Sequence, residues 1–180
     1  MAYGRIIPGL KIDGKLAEYG VVNERTARAA AGIMMMLGIF AVVFAFFLKE
    51  FLLLGIVVTA FTIEFGLRLI QPRYGPIFAI SEVLLSRMKP EYSGAAQKRF
   101  AWLLGLCIAF PMFFLVNVFG IRGILPFSFC MICITLMWLE SAFGYCVGCK
   151  MYYGLIRLGV FKQPKVAPAC PGGVCPIKKP

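Results

Sequence analysis

The sequence predicts an all-α membrane protein with four transmembrane helices in two antiparallel hairpins. Three observations carry this. Hydrophobic residues make up 61% of the 180 positions and charged residues 15%, against roughly a quarter charged in a soluble domain. Four apolar runs, at 29–48, 51–70, 100–119 and 124–145, each reach the roughly 20 residues needed to cross the hydrocarbon core. The basic residues, finally, fall almost wholly on one side of those runs.

Residues 1–28 form an N-terminal segment with Arg5, Lys11, Lys15, Arg25 and Arg28, interleaved with Asp13, Glu18 and Glu24. The acidic residues and the length of the first apolar run argue against a cleaved signal peptide, so the first span is expected to stay as an anchor. Lys49-Glu50 turns the chain into span two, and 120–123 turns span three into span four. Pro126 suits the first turn of span four, and Pro111 is expected to kink span three. Residues 72–99 form the one long loop. Its apolar Ile77, Phe78, Ile80, Val83, Leu84, Leu85 and Met88 alternate with Ser81, Glu82, Ser86, Arg87 and Lys89, the pattern of a short interfacial amphipathic helix. A transmembrane domain over 29–158 is then followed by a Pro-, Lys- and Gly-rich tail, 159–180, expected to be flexible.

Sixteen Lys and Arg residues precede span one, follow span four or lie in the 72–99 loop, and only Lys49 and Arg122 lie in the two short turns. The positive-inside rule then puts both termini in the cytoplasm. The net charge of +11 is assigned to topology and to anionic lipid headgroups rather than to nucleic acid, because the bases flank apolar runs and no nucleic-acid-binding signature is present.

Three ionisable residues fall inside the spans. Glu64 and Arg68 stand four apart on span two, in the better order for an intrahelical ion pair, and Glu140 lies on span four at a similar depth. Charges at that depth are expected to face the bundle interior. One reading is a polar clasp in which Arg68 bridges both carboxylates and fixes how spans two and four pack. The other is a vestibule in which one carboxylate stays protonated and serves as a proton donor.

Seven cysteines and no histidine complete the inventory. Cys146-Val147-Gly148-Cys149 comes where span four ends, after Gly144, which can interrupt the helix. A helix restarting there would favour thiolate through its N-terminal dipole, and Lys150 adds positive charge. Gly148 would keep the turn compact. Cys146, the more exposed on this reading, is expected to attack and Cys149 to resolve. Cys170 and Cys175 in the tail could join them as four thiolates for zinc, or act as a thiol arm exchanging with them. Cys107, Cys130 and Cys133 read as packing residues, since a relay along span four would have to bridge about 24 Å of helix. Met34-Met35-Met36 could add thioether ligands for Cu(I), but consecutive residues on a helix diverge. Arg68, Arg73, Arg99 and Lys150 are expected to attract an anion such as a sulfur oxyanion.

From about Asp13 to Leu158 the chain resembles a bacterial membrane family known as domain of unknown function 4395. The resemblance rests on Glu64 and Arg68, the run 72–76 (Pro-Arg-Tyr-Gly-Pro), the run 98–101 (Lys-Arg-Phe-Ala), Leu139-Glu140, and the run 143–149 (Phe-Gly-Tyr-Cys-Val-Gly-Cys) with Tyr152. That family tends to carry Asp where this chain has Glu64, and Ser where it has Gly75. The resemblance implies a bacterial inner-membrane location and association with thioredoxin-like proteins and sulfurtransferases, without an established activity. Together the residues and the resemblance support a membrane thiol protein in disulfide exchange or sulfur handling, with Cys146, Cys149, Glu140, Glu64 and Arg68 at its site. A transporter or channel for a small sulfur-containing solute, which four short helices would accommodate more readily as a homo-oligomer, and a Zn- or Cu-clipped scaffold are the alternatives.

Overall fold

The protein is described by a computed structural model over residues 3–8, 11–12, 15–16 and 19–161. Cys170, Cys175 and the tail from residue 162 lie outside the described residues, as do Asp13 and Glu18. The helices are α1 (Glu24–Phe46), α2 (Leu52–Ile70), α3 (Pro76–Leu84), α4 (Ala95–Phe113), α5 (Ile124–Phe143) and α6 (Val147–Arg157). A 3-10 turn at Pro72–Tyr74 precedes α3, and a π-helical turn at Phe114–Val118 extends α4. Four of these, α1, α2, α4 with its extension, and α5, are long and apolar enough to cross a membrane. Their outward faces carry Phe40, Ile56, Phe110 and Ile132, as lipid contact requires.

The described strands are short. β1 (Lys11–Ile12) pairs antiparallel with β2 (Lys15–Leu16), and β3 (Val21–Asn23) pairs antiparallel with β4 (Tyr92–Gly94). The second pair, which the hydropathy pattern does not announce, matters because it ties the start of α1 to the start of α4. Both helices begin five residues before the expected spans. Asn23 caps α1 by accepting the Arg25 N–H on its side-chain oxygen, so Glu24, Arg25 and Arg28 are helical rather than part of a leading segment. Lys98 and Arg99 likewise belong to α4 and not to the loop.

Connectivity gives the two hairpins, but packing crosses them. α1 packs chiefly on α5 and α2 on α4, while α4 and α5 touch little. The central cluster joins Met34, Ala41, Ala45, Leu54, Val58, Phe61, Met112 and Met137, where small residues let the backbones approach. Cys130 and Cys133 pack against this cluster and Cys107 is exposed. Met34 is buried while Met36 faces outward, so the three methionines diverge as expected.

Pro111 sits inside α4, where its missing amide leaves the Cys107 carbonyl without the usual helical donor, and the helix widens into the π turn three residues later. Within that turn the Asn117 side-chain amide donates to Thr59 Oγ1 and the Gly55 carbonyl on α2.

Candidate functional site

α5 ends at Phe143, and Gly144 takes a left-handed conformation (φ 63°) that closes the helix, with the Tyr145 N–H donating to the Leu139 carbonyl. The chain reverses at once and α6 starts with Cys146 as its N-cap. The expectation of a helix restarting at the CxxC is met, which puts both sulfurs in the first turn of α6, beside unpaired amides and the positive end of the dipole. Both cysteines are free thiols, Cys146 4% and Cys149 3% exposed. The expected difference in exposure is therefore absent, because α6 folds back on α4 and covers both.

Gly148 has a different role from the compact turn expected of it. A Cβ there would lie 2.6 Å from both Cα and Cβ of Ala101 on α4, so glycine sets how closely α6 approaches. Gly148→Ala is expected to push α6 outward, lowering stability by about 1–3 kcal/mol and speeding alkylation of Cys146 and Cys149 several-fold. Thermal unfolding in nanodiscs and a timed mass-spectrometric alkylation measure the two effects.

The residue that ties α1, α4 and α5 together is Lys98. It is fully buried, and its ammonium donates to Glu24 Oε1 on α1 at 2.9 Å and to Glu140 Oε1 on α5 at 2.8 Å. Glu24, also fully buried, accepts the Ser93 hydroxyl on its other oxygen, and Arg28 Nε approaches at 3.7 Å. Arg28 lies across Gly144, so it too borders the helix reversal. Lys98 acts electrostatically on the thiols, and Cys149 holds its proton well above the ordinary cysteine range. A hydrogen bond with Cys146 is the main cause and burial the second, with Lys98 pulling the other way.

This geometry corrects the clasp expected from sequence. Glu140 pairs with Lys98 and not with Arg68, because α5 packs on α1 rather than on α2. Arg68 pairs with Glu64 in the expected i, i+4 manner, and its guanidinium lies between Phe65, Phe78 and Trp102 with Met34 Sδ at 3.6 Å. Glu64 then does something no local pattern reveals. Its two oxygens accept the Ile77 and Phe78 N–H groups at 3.0 and 2.9 Å, so it serves α3 as the side-chain cap that Gly75 lacks.

The four basic residues expected to gather an anion have separate partners. Arg68 holds Glu64, Arg73 holds Glu82, Arg99 stacks on Tyr3 and Lys150 on Tyr145. A cavity of about 300 Å³ involves Arg5, Arg73, Glu82 and Thr26, with no lining residue from the thiol site. Among the described residues no group of three or more Cys, His, Asp or Glu side chains is arranged to hold a metal, and the four-thiolate set depends on Cys170 and Cys175.

Lys98 and Glu24 are the site residues that sequence reasoning missed. The available signal was Asn23-Glu24, a capping residue followed by an acid, which marks a helix start. No curated protein and no solved structure matches the chain. The family model described as "Domain of unknown function (DUF4395)" matches residues 22–157, which takes in every helix from α1 to α6, Lys98 and both thiols. The chain belongs to that family.

Proposed function

We propose that the protein is a membrane thiol protein that exchanges disulfides, or carries sulfane sulfur, through Cys146 and Cys149. The observation that carries this reading is the pair itself: two free thiols in the first turn of a helix, α6, that packs on α4. Neither packing nor topology calls for such a pair there, whereas the N-terminus of a helix is a place where thiolate chemistry is favoured.

In the exchange, the Cys146 thiolate attacks one sulfur of a partner disulfide. One S–S bond breaks, a mixed disulfide forms, and the partner's other sulfur leaves as thiolate. Cys149 then attacks Cys146, its proton passing to the departing partner sulfur, so the protein gains a disulfide and the partner two thiols. Two electrons move and none is left over. Because both thiols are covered, a partner engages them only when the first turn of α6 lifts from α4. The segregation of basic residues supports a site that faces the cytoplasm, and the resemblance to the family supports a bacterial inner membrane and a thioredoxin-like or sulfurtransferase partner.

Cys149→Ser is expected to freeze the exchange at the first step and accumulate a mixed disulfide on Cys146, recovered on non-reducing gels, while Cys146→Ser accumulates none. Thiols at 146 and 149 that alkylate identically from reducing to oxidising glutathione buffers would remove the proposal. Modification of Cys146 by an impermeant reagent from outside intact cells would reverse the orientation.

A further inference from the structure

We propose that the cavity between the 3-10 turn, α3 and the β3–β4 pair binds a small organic phosphate, its oxyanion held by Arg5 and Arg73 and its carbon skeleton by Val22, Phe78 and Leu85. The inference is independent of the thiol reading, since no residue lining the cavity belongs to the thiol site.

The cavity measures about 300 Å³, the lower end of the range for small-molecule sites. It lies where α1 begins and α2 ends. Both are helices of spanning length, so this is the level of the lipid headgroups. Its charged rim is held by backbone structure. Arg5 is fixed through its N–H and carbonyl, both bonded to Val21. Pro72 and Pro76 open the turn that carries Arg73 and the helix that carries Glu82.

The polar groups around the cavity are unbalanced in one direction. Its charged residues are Arg5, Arg73 and Glu82, two cations to one anion. Both guanidiniums share the one carboxylate, at 3.0 and 3.3 Å, and each stays more than half exposed. Asn23 and Gln71 add to the surplus of donors. Their side-chain oxygens are taken by backbone N–H groups, those of Arg25 and Glu91 on Asn23 and that of Gly4 on Gln71. Their NH2 groups have no acceptor among the described residues. Thr26, 1% exposed, also borders the cavity, and its hydroxyl has no partner among the described residues. A buried hydroxyl in that state is completed by what fills the space beside it.

A donor-rich cavity with one net positive charge selects an anion rich in oxygen acceptors. Two guanidinium forks and two amide groups offer more donors than the two oxygens of a carboxylate can use, and phosphate suits them better. The apolar wall of Val22, Phe78 and Leu85 favours an ester with a carbon skeleton over the bare inorganic ion. An incoming phosphate competes with Glu82 for both arginines, so Glu82 tunes the affinity downward. A phospholipid headgroup and a soluble phosphate ester share this chemistry, and the experiment separates them.

Phenylglyoxal labelling of arginines, resolved by mass spectrometry on the full chain in phosphatidylcholine nanodiscs, reads the site residue by residue. A soluble occupant predicts that glycerol 3-phosphate slows labelling of Arg5 and Arg73 several-fold and leaves Arg122 and Arg157 unchanged. A lipid occupant predicts the same selective protection from an equal mixture of phosphatidylcholine and phosphatidylglycerol, without the soluble ester. Either result supports the site. The amount of the effective probe that half protects Arg5 should rise about tenfold in Arg73→Gln and fall in Glu82→Gln. It should hold in Arg157→Gln, which makes the same change of net charge as Arg73→Gln but away from the cavity. The ion pairs removed are solvent-exposed and contribute little to folding, so the variants remain testable. Protection spread evenly over all four arginines, protection by neither probe, or equal shifts in Arg73→Gln and Arg157→Gln overturns the proposal.

Discussion

Lys98→Met is expected to be among the most damaging single substitutions in the chain, lowering stability by about 3–5 kcal/mol. Methionine fills similar volume and suits an apolar setting, so lost packing is not the reason. The reason is what remains. Glu24 would keep a full charge with no exposed surface, supported only by the Ser93 hydroxyl and by Arg28 at 3.7 Å, and Glu140 would lose its only ion pair among the described residues. Removing one member of a buried ionic set exposes the desolvation cost of the others, whereas removing the set together is far milder. Lys98→Met combined with Glu24→Gln and Glu140→Gln should therefore recover much of the loss. Chemical denaturation in a fixed detergent measures both. A single variant as stable as the parent would mean that water reaches Glu24 and that the cluster is not the closed unit its geometry describes.

The same cluster marks the boundary of what the sequence makes legible. Run length alone finds all four spans, since lipid demands long uninterrupted apolar stretches and few other sequences supply them. It misplaces the starts of α1 and α4 because hydropathy stops at the first charge, while the helices continue through Arg28, Arg25 and Glu24 in one case and through Arg99 and Lys98 in the other. The pair Glu64–Arg68 is legible because its partners lie one turn apart on one helix. The partner of Glu140 is not. Three helices bring Glu24, Lys98 and Glu140 together, and nothing local says that α5 lies against α1 instead of α2. The pairing of β3 with β4, which sets Val22 opposite Ser93, is equally invisible, yet it is what brings Ser93 to Glu24. The CxxC is legible in full as a helix start, because Gly144 and the spacing are local. Its burial is not, since that depends on Gly148 meeting Ala101 across two helices.

Glu64 is the carboxylate that holds Arg68 and caps α3. Glu64→Ala is expected to cost about 3–5 kcal/mol, for the same reason as the loss of Lys98: Arg68, 2% exposed, would be left with three rings and a thioether. The amides of Ile77 and Phe78 would lose their acceptor as well, and Gly75 has no side chain to replace it. α3 should come loose first, so hydrogen exchange at those two amides should quicken by at least about tenfold before the bundle itself melts. Glu64→Asp is the informative companion. It keeps the charge beside Arg68 but shortens the reach, so it should loosen α3 while leaving the protein folded. The thiols sit at the start of α6, which packs on α4, and their alkylation rate should therefore hold still in Glu64→Asp. If that rate rises together with exchange at the Ile77 and Phe78 amides, the seating of α3 and the cover of the thiols are one unit, and Glu64 and Arg68 belong with the thiol site after all. If only α3 responds, the charges of Glu64 and Arg68 serve to seat α3 against the bundle, and the cover of the two cysteines is left to the packing of α6 on α4.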